Sequence, residues 1–225
     1  MQPHDKVPFH DFEALPEAEM LARAMAFHAD IARRHSCRDF APRAVPREII
    51  AACIAAAGTA PSGANHQPWF FAAIGSPAAK AQVRAAAEAE EREFYDGGKA
   101  PADWRAALSP LGTDADKAYL EDAAWLIAIF AQRRGGVRAG DDLKNYYINE
   151  SVGIATGLLI AALHAAGLAT LTHTPNPMNF LNEICNRPAS EKPFLLLVAG
   201  YPAAGATIPA HALIKKPLAD IASFD

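Results

Sequence analysis

Thr59-Ala-Pro-Ser-Gly-Ala-Asn-His-Gln-Pro-Trp69 is the stretch on which the reading of this chain turns. Pro61, Ser62 and Gly63 mark it as a turn that joins a helix end to a strand. Upstream, residues 46–57 read as a helix, with Pro46 in the first turn, an alanine-rich face and Gly58 just past the end. Downstream, Trp69-Phe-Phe-Ala-Ala-Ile74 is a short apolar run bounded by Pro68 and Gly75, the pattern of a buried strand. Further out, residues 17–34 and the charged stretch 78–95 read as helices, and a long helix runs from about 144 to 166, where Gly167 ends it. Ala123-Ala-Trp-Leu-Ile-Ala-Ile-Phe130 and Phe194-Leu-Leu-Leu-Val-Ala-Gly200 are two more buried strands. The connections are uneven and no GxGxxG follows a strand, which argues against a doubly wound sheet. An α+β fold is expected, with a central sheet flanked by helices and a long central helix.

A chain of 225 residues with 51% apolar content suits a single domain over 1–225, with an N-terminal arm at 1–15 and a C-terminal extension at 203–225. Net charge is −4, the pI is near 6.1, and no Lys/Arg cluster alternates with aromatic residues, so nucleic acid is not an expected partner. Cys37, Cys53 and Cys185 are odd in number and form no CxxC, so neither a disulfide framework nor a metal site is suggested. A cytoplasmic setting is expected, and the polar opening Met1-Gln-Pro-His-Asp-Lys6 does not read as a signal peptide. Val152 to Leu171 approaches bilayer-spanning length. The stretch lacks basic flanks and continues a polar opening, Asn145-Tyr-Tyr-Ile-Asn-Glu-Ser151, so a buried helix is the better reading and no membrane partner is expected. Its small residues, Gly153, Ala155, Gly157, Ala161 and Ala162, would let another helix approach closely, which suggests a homodimer.

Two segments carry candidate chemistry. Arg33-Arg34-His-Ser-Cys-Arg38 puts three guanidiniums and a hydroxyl within one helix end, a donor set suited to phosphate, although arginines also favour a helix C-terminus for electrostatic reasons alone. The 59–69 turn exposes N–H groups and a hydroxyl that would suit the carbonyls and ribityl chain of a flavin, although any Pro-Ser-Gly can be a plain turn.

Together the two segments resemble the nitroreductase superfamily, whose two-part FMN signature matches Arg34-x-Ser-x-Arg38 and Pro61-Ser-x-x-Asn-x-Gln-Pro-Trp69. Within it, Ala60-Pro-Ser-Gly-Ala64, Glu90-Glu-Arg-Glu-Phe-Tyr95, Leu111-Gly-Thr-Asp-x-x-Lys117, Thr170-Leu-Thr-His-Thr-Pro175 and Phe194–Pro202 resemble, in order and spacing, the iodotyrosine deiodinase branch. The likeness covers roughly residues 30–222. It implies FMN held by Arg34, His35, Ser36, Cys37, Arg38, Pro61, Ser62, Gly63, Thr172, His173, Thr174 and Lys215, at a site between two subunits. Thr174 matches the threonine whose hydroxyl bonds the flavin N5 and is the catalytic candidate. Ala64 would offer its backbone N–H to a substrate phenolate.

The remaining substrate residues have a physical reading of their own. Glu91 and Tyr95, four apart, share a helix face, and Lys117 brings the opposite charge. A zwitterionic amino acid needs an anion for its ammonium, a cation for its carboxylate and a surface for its side chain. The same residues also suit a solvated helix. The expected activity is reductive removal of halide from halotyrosines, 3-iodotyrosine to tyrosine and iodide, with an external electron donor. A broad NAD(P)H-dependent nitroreductase or quinone reductase and a non-catalytic flavin-binding protein are the alternatives. The chain departs from the deiodinase pattern at His35 and Lys215, both arginine positions in that branch. The stretch after Asp96 is one residue longer, and His173 is read as a structural or flavin-edge contact within the flavin-binding turn.

Overall fold

The computed structural model describes residues 6–10, 12–95, 97 and 101–225. Contacts divide the chain into a short unit, Met1–Arg34, and a larger one, His35–Asp225. In the first, helix α1 (Glu17–Ile31) begins after Pro16 and carries Glu17 and Glu19 in its first turn, where the helix dipole favours anions. Met20, Leu21, Met25 and Phe27 on this helix are exposed.

The larger unit is built on an antiparallel sheet. Its elements in chain order are α2 (Arg47–Ala57), β1 (Trp69–Ile74), α3 (Pro77–Tyr95), α4 (Ala102–Leu108), α5 (Tyr119–Asp122), β2 (Trp125–Gln132), β3 (Arg134–Gly135), β4 (Leu143–Lys144), α6 (Ile148–Ala165), β5 (Ala169–His173), α7 (Phe180–Ile184) and β6 (Glu191–Gly200). Among the described residues, the main sheet has the order β1-β2-β6-β5, and β3 with β4 forms a small separate ladder. Every main-sheet pairing is antiparallel, with Trp69 opposite Ala131, Leu126 opposite Val198 and Leu171 opposite Val198.

Side chains alternate across the sheet and feed two cores. Leu126, Ala128, Phe130, Leu196 and Val198 face Val83 and Ala87 of α3, Leu120 of α5 and Leu181 of α7. Ile127, Ile129, Ala131, Leu197 and Ala199 face Ile50, Cys53 and Ala57 of α2 and Val152, Leu159 and Leu163 of α6. Helices on both sides explain why β2 and β6 read as unbroken apolar runs rather than alternating ones. Between Ile129 and Phe130 the register shifts, so that Ile129 meets Leu195 and Phe130 meets Pro193. Pro193 lies on the part of β6 that has no β5 neighbour, where a missing N–H costs no ladder bond on that side.

The structure corrects three expectations. A strand at 169–173, β5, was not anticipated: its Thr-Leu-Thr-His alternation is too short and polar to stand out, and its pairing with β6 decides its state. The long helix starts at Ile148 rather than near 144, because Leu143 and Lys144 pair with Gly135 and Arg134, and Tyr147 adopts a left-handed conformation at φ 50°. His173 closes β5 rather than lying in a turn.

By length and composition α6 could cross a membrane, with a third of its residues buried. Its inner face packs on α2, β2 and β5, while Ile154 and Leu158 form an exposed apolar strip beside Gly153 and Gly157.

Leu197 is fully buried at the centre of the sheet, between α2 and α6. Leu197→Ala is expected to lose about 2–5 kcal/mol of stability, read as a lowered urea midpoint at unchanged slope.

Candidate functional site

The last turns of α3, the 112–118 segment, α5 and the end of β5 surround one cavity of about 530 Å³. Its wall includes Arg38, Glu91, Tyr95, Lys117, Thr172, His173 and Thr174, so seven residues picked from separate stretches of sequence meet in one place. Phe94, Trp104 and Leu108 add an apolar rim. Of the lid stretch 96–101, only Gly97 and Pro101 fall among the described residues, so the effect of its extra residue lies outside the description.

Lys117 is the charged centre of the cavity and is only 4% exposed. Its Nζ lies 3.5 Å from Glu91 Oε2, donates to the Asp114 carbonyl, and stands 5.5 Å from the Tyr95 ring centre. Burial raises the Glu91 pKa above the ordinary carboxylate value, and the Lys117 charge and hydrogen bond oppose that rise. The Tyr95 hydroxyl is 2.7 Å from Thr113 Oγ1, which fixes the ring against the lysine. A buried ion pair costs desolvation and stabilises little by itself, so its value lies in presenting one anion and one cation at fixed spacing.

His173, next to Thr174 in the chain, is buried and shares a hydrogen bond of 3.3 Å between its Nδ1 and the Tyr119 hydroxyl. Its Nε2 is buried without a partner among the described residues. Burial, reinforced by the charges of Lys117 and Arg38, lowers its pKa to about 3, so the imidazole is neutral wherever the protein is folded near neutral pH. The unfolded chain would take up a proton near 6.5 and the folded chain only near 3, so this group weakens the fold as pH falls through that interval. Burial likewise pushes the Tyr119 hydroxyl well above its ordinary value. Neither Tyr119 nor Thr113 was singled out in the sequence. The available signal was their position within two and four residues of Lys117.

The other candidates sit elsewhere. Pro61, Ser62, Gly63 and Ala64 do not line this cavity; the loop lies against the start of α6. There the Gly63 N–H donates to Ser151 Oγ at 3.3 Å and the Gln67 N–H to Ser62 Oγ at 2.9 Å. A Cβ on Gly63 would meet the Tyr146 carbonyl oxygen at 2.7 Å, so only glycine allows this approach. Ala64, Asn65 and Gln67 all adopt left-handed conformations, with φ of 52°, 55° and 51°. Such strain is retained where the surroundings enforce it, commonly at ligand sites. No hydrogen bond to an acceptor among the described residues occupies the Ala64 N–H.

Ser36 bridges to Thr170, and the Cys37 N–H donates to the Thr170 carbonyl at 3.0 Å. The Cys37 side chain is buried in the core, where burial raises its thiol pKa, so its contribution is to hold the strap that carries Arg38 into the cavity. His35 precedes that strap. Lys215 is exposed in the C-terminal segment and donates to the Ala212 carbonyl at 2.8 Å. Arg34 belongs to the N-terminal unit.

Comparison with known proteins gives this geometry a context. The nitroreductase family matches residues 31–201. An iodotyrosine deiodinase of Haliscomenobacter hydrossis is 46% identical over 203 residues, 90% of either chain. The human iodotyrosine deiodinase 1 is 40% identical, over 96% of this chain and 74% of its own length. Among solved structures, an oxidized iodotyrosine deiodinase bound to FMN and 3-iodo-L-tyrosine superposes with a TM-score of 0.70 at 26% identity, over 79% of this chain and 90% of the other. A nitroreductase with bound FMN from Bacteroides fragilis shares the fold, with a TM-score of 0.65 at 16% identity over 88% of this chain and 98% of its own. The chain belongs to the nitroreductase family and, within it, is similar over nearly its whole length to the iodotyrosine deiodinases.

Proposed function

We propose that this protein is an FMN-dependent oxidoreductase that removes halide reductively from halotyrosines, converting 3-iodotyrosine to tyrosine and iodide, as a cytoplasmic homodimer. The observation that carries the reading is the gathering of Glu91, Tyr95 and Lys117 in one cavity with Thr174. A flavin fits the donors present. Arg38 is a fork suited to phosphate, Thr174 supplies a hydroxyl, and the Ala64 N–H has no acceptor of its own among the described residues. His35, Ser36, Arg38 and Lys215 would hold the phosphate and ribityl chain, Cys37 the strap between them, and Pro61, Ser62, Gly63, Thr172, His173 and Thr174 the ring system. When bound, FMN supplies the two electrons that, with one proton, replace a carbon–halogen bond by carbon–hydrogen and release halide. An external donor restores them.

The chain's own part is selection and orientation. Glu91 receives the substrate ammonium and Lys117 its carboxylate, each exchanging the intramolecular partner it already has for one of the same sign. Tyr95 covers the ring and excludes water. The Ala64 N–H favours the phenolate over the phenol because a donor stabilises the charged form. Since the 61–64 loop does not line the cavity of its own chain, a second copy would supply it. The exposed strip Ile154 and Leu158 on α6, beside Gly153 and Gly157, is the surface proposed to bring that copy in.

Three outcomes test this. Adding 3-iodotyrosine to the flavin-loaded protein should quench flavin fluorescence, and anaerobic dithionite should then yield iodide and tyrosine. Glu91→Gln and Lys117→Ala should each weaken that binding about 10- to 100-fold while FMN is retained. Wild-type affinity in both variants would defeat the substrate assignment.

Binding should also fall as pH drops through the raised Glu91 pKa, because a protonated carboxyl offers no charge to the ammonium. That fall should begin at a higher pH than for an ordinary carboxylate, and it should be absent from Glu91→Gln.

Light scattering should report two copies of the chain. Ile154→Arg should yield monomers that no longer retain flavin.

A further inference from the structure

Glu91 and Tyr95 ride on α3, whereas Lys117 arrives on the 112–118 segment, so something must fix the distance between the two pieces. Two turns before Glu91 on α3, the Arg84 guanidinium meets three carboxylates. Nε donates to Glu88 Oε1 at 2.6 Å, Nη2 to Asp116 Oδ1 at 2.9 Å and Nη1 to Glu121 Oε1 at 3.3 Å. The three partners lie on three pieces of chain: α3 itself, the segment bearing Lys117, and α5. Glu88 Oε1 in turn accepts the Lys117 backbone N–H at 3.0 Å, and Asp116 Oδ1 accepts the Ala118 N–H at 3.2 Å. The main chain on both sides of Lys117 is thus tied to carboxylates that Arg84 holds.

The planar guanidinium fork fixes direction as well as charge, which a lysine at this position would not. Arg84 is 29% exposed and Glu88 15%, more sheltered than an ordinary surface pair. Burial pushes the Glu88 carboxyl up, but hydrogen bonds from Arg84 and the Lys117 N–H, with the charges of Arg84 and Arg92, leave it below the ordinary value, so it stays an acceptor in mildly acid solution. Lys80, itself buried, donates to the carbonyls of Glu121 and Ala123, both at 2.7 Å, and pins α5 to the same helix.

We propose that Arg84, acting through Glu88 and Asp116, is a positioning residue that sets the spacing of Lys117 from Glu91 and thereby the selectivity for a free amino-acid head group. This rests on the substrate reading given above. Its consequence is specific. Loosening the hub should impair ligands that carry both ammonium and carboxylate, and leave untouched a ligand that presents only the halogenated ring.

The test compares 3-iodotyrosine with 2-iodophenol, which keeps ring and halogen but lacks the head group, by flavin fluorescence in the FMN-loaded protein. For Arg84→Met the dissociation constant of 3-iodotyrosine should rise about tenfold, with 2-iodophenol unchanged and FMN retained. Arg84→Lys should restore at most part of the loss. Asp116→Asn, at a carboxylate that is 68% exposed and so tolerant of change, should show the same selective loss in smaller degree. Equal weakening of both ligands in these variants would mean a merely structural role, and no weakening would mean a surface ion pair; either overturns the proposal. A wild-type protein that binds 2-iodophenol but not 3-iodotyrosine would overturn the substrate reading, whereas selective wild-type binding without selective loss in the variants would overturn this inference alone.

Discussion

An ammonium group almost fully withdrawn from water must be given partners, and at Lys117 that requirement ties the 112–118 segment to α3. Its partners are the Asp114 carbonyl in its own segment and the Glu91 carboxylate across the cavity. To keep them in place α3 must run unbroken from Pro77 to Tyr95, the 112–118 segment must fold back over it, and α5 must lock the return into β2. The two-sided core does the remaining work. With helices on both faces of the sheet, α3 has a fixed floor of Leu126, Ala128 and Phe130 beneath it. A charged cavity is therefore backed by an apolar layer, from which Leu171 reaches its wall.

Much of this was legible because two independent signals converged. The apolar runs at 69–74, 123–130 and 194–200 are long and β-rich enough to be read as strands wherever they lie, and Pro46 and Gly58 bracket α2 on local grounds. Paired donor motifs, rather than composition, pointed to the family. What escaped was what depends on distant partners. Strand β5 exists because Leu196 to Gly200 offers it a ladder, and the start of α6 is displaced because Leu143 and Lys144 find Gly135 and Arg134. Single-chain geometry also separated residues that the sequence placed in one list: Arg38, Glu91, Tyr95, Lys117 and Thr172 to Thr174 share a cavity, while the 61–64 loop is held elsewhere by Ser151.

His173 illustrates a further limit of reading by residue type. A histidine beside a threonine proposed to meet the cofactor invites the role of proton carrier, yet burial and two neighbouring cations keep it neutral far below the pH at which a free imidazole titrates. Environment, not identity, decides the chemistry of a titratable group. The same holds for Cys37, whose thiol is held in the core rather than presented to a ligand.

That the 61–64 loop does not line the cavity of its own chain links assembly to mass action. If each ligand is enclosed by pieces of two chains, then cofactor and subunit contact cannot be separate equilibria: whatever fills the cavity binds only the associated form and draws the chains together, and dilution loosens cofactor and partner as one event. Gly63, pressed against the Tyr146 carbonyl so closely that no side chain could intervene, would then influence how concentrated the protein must be to function at all.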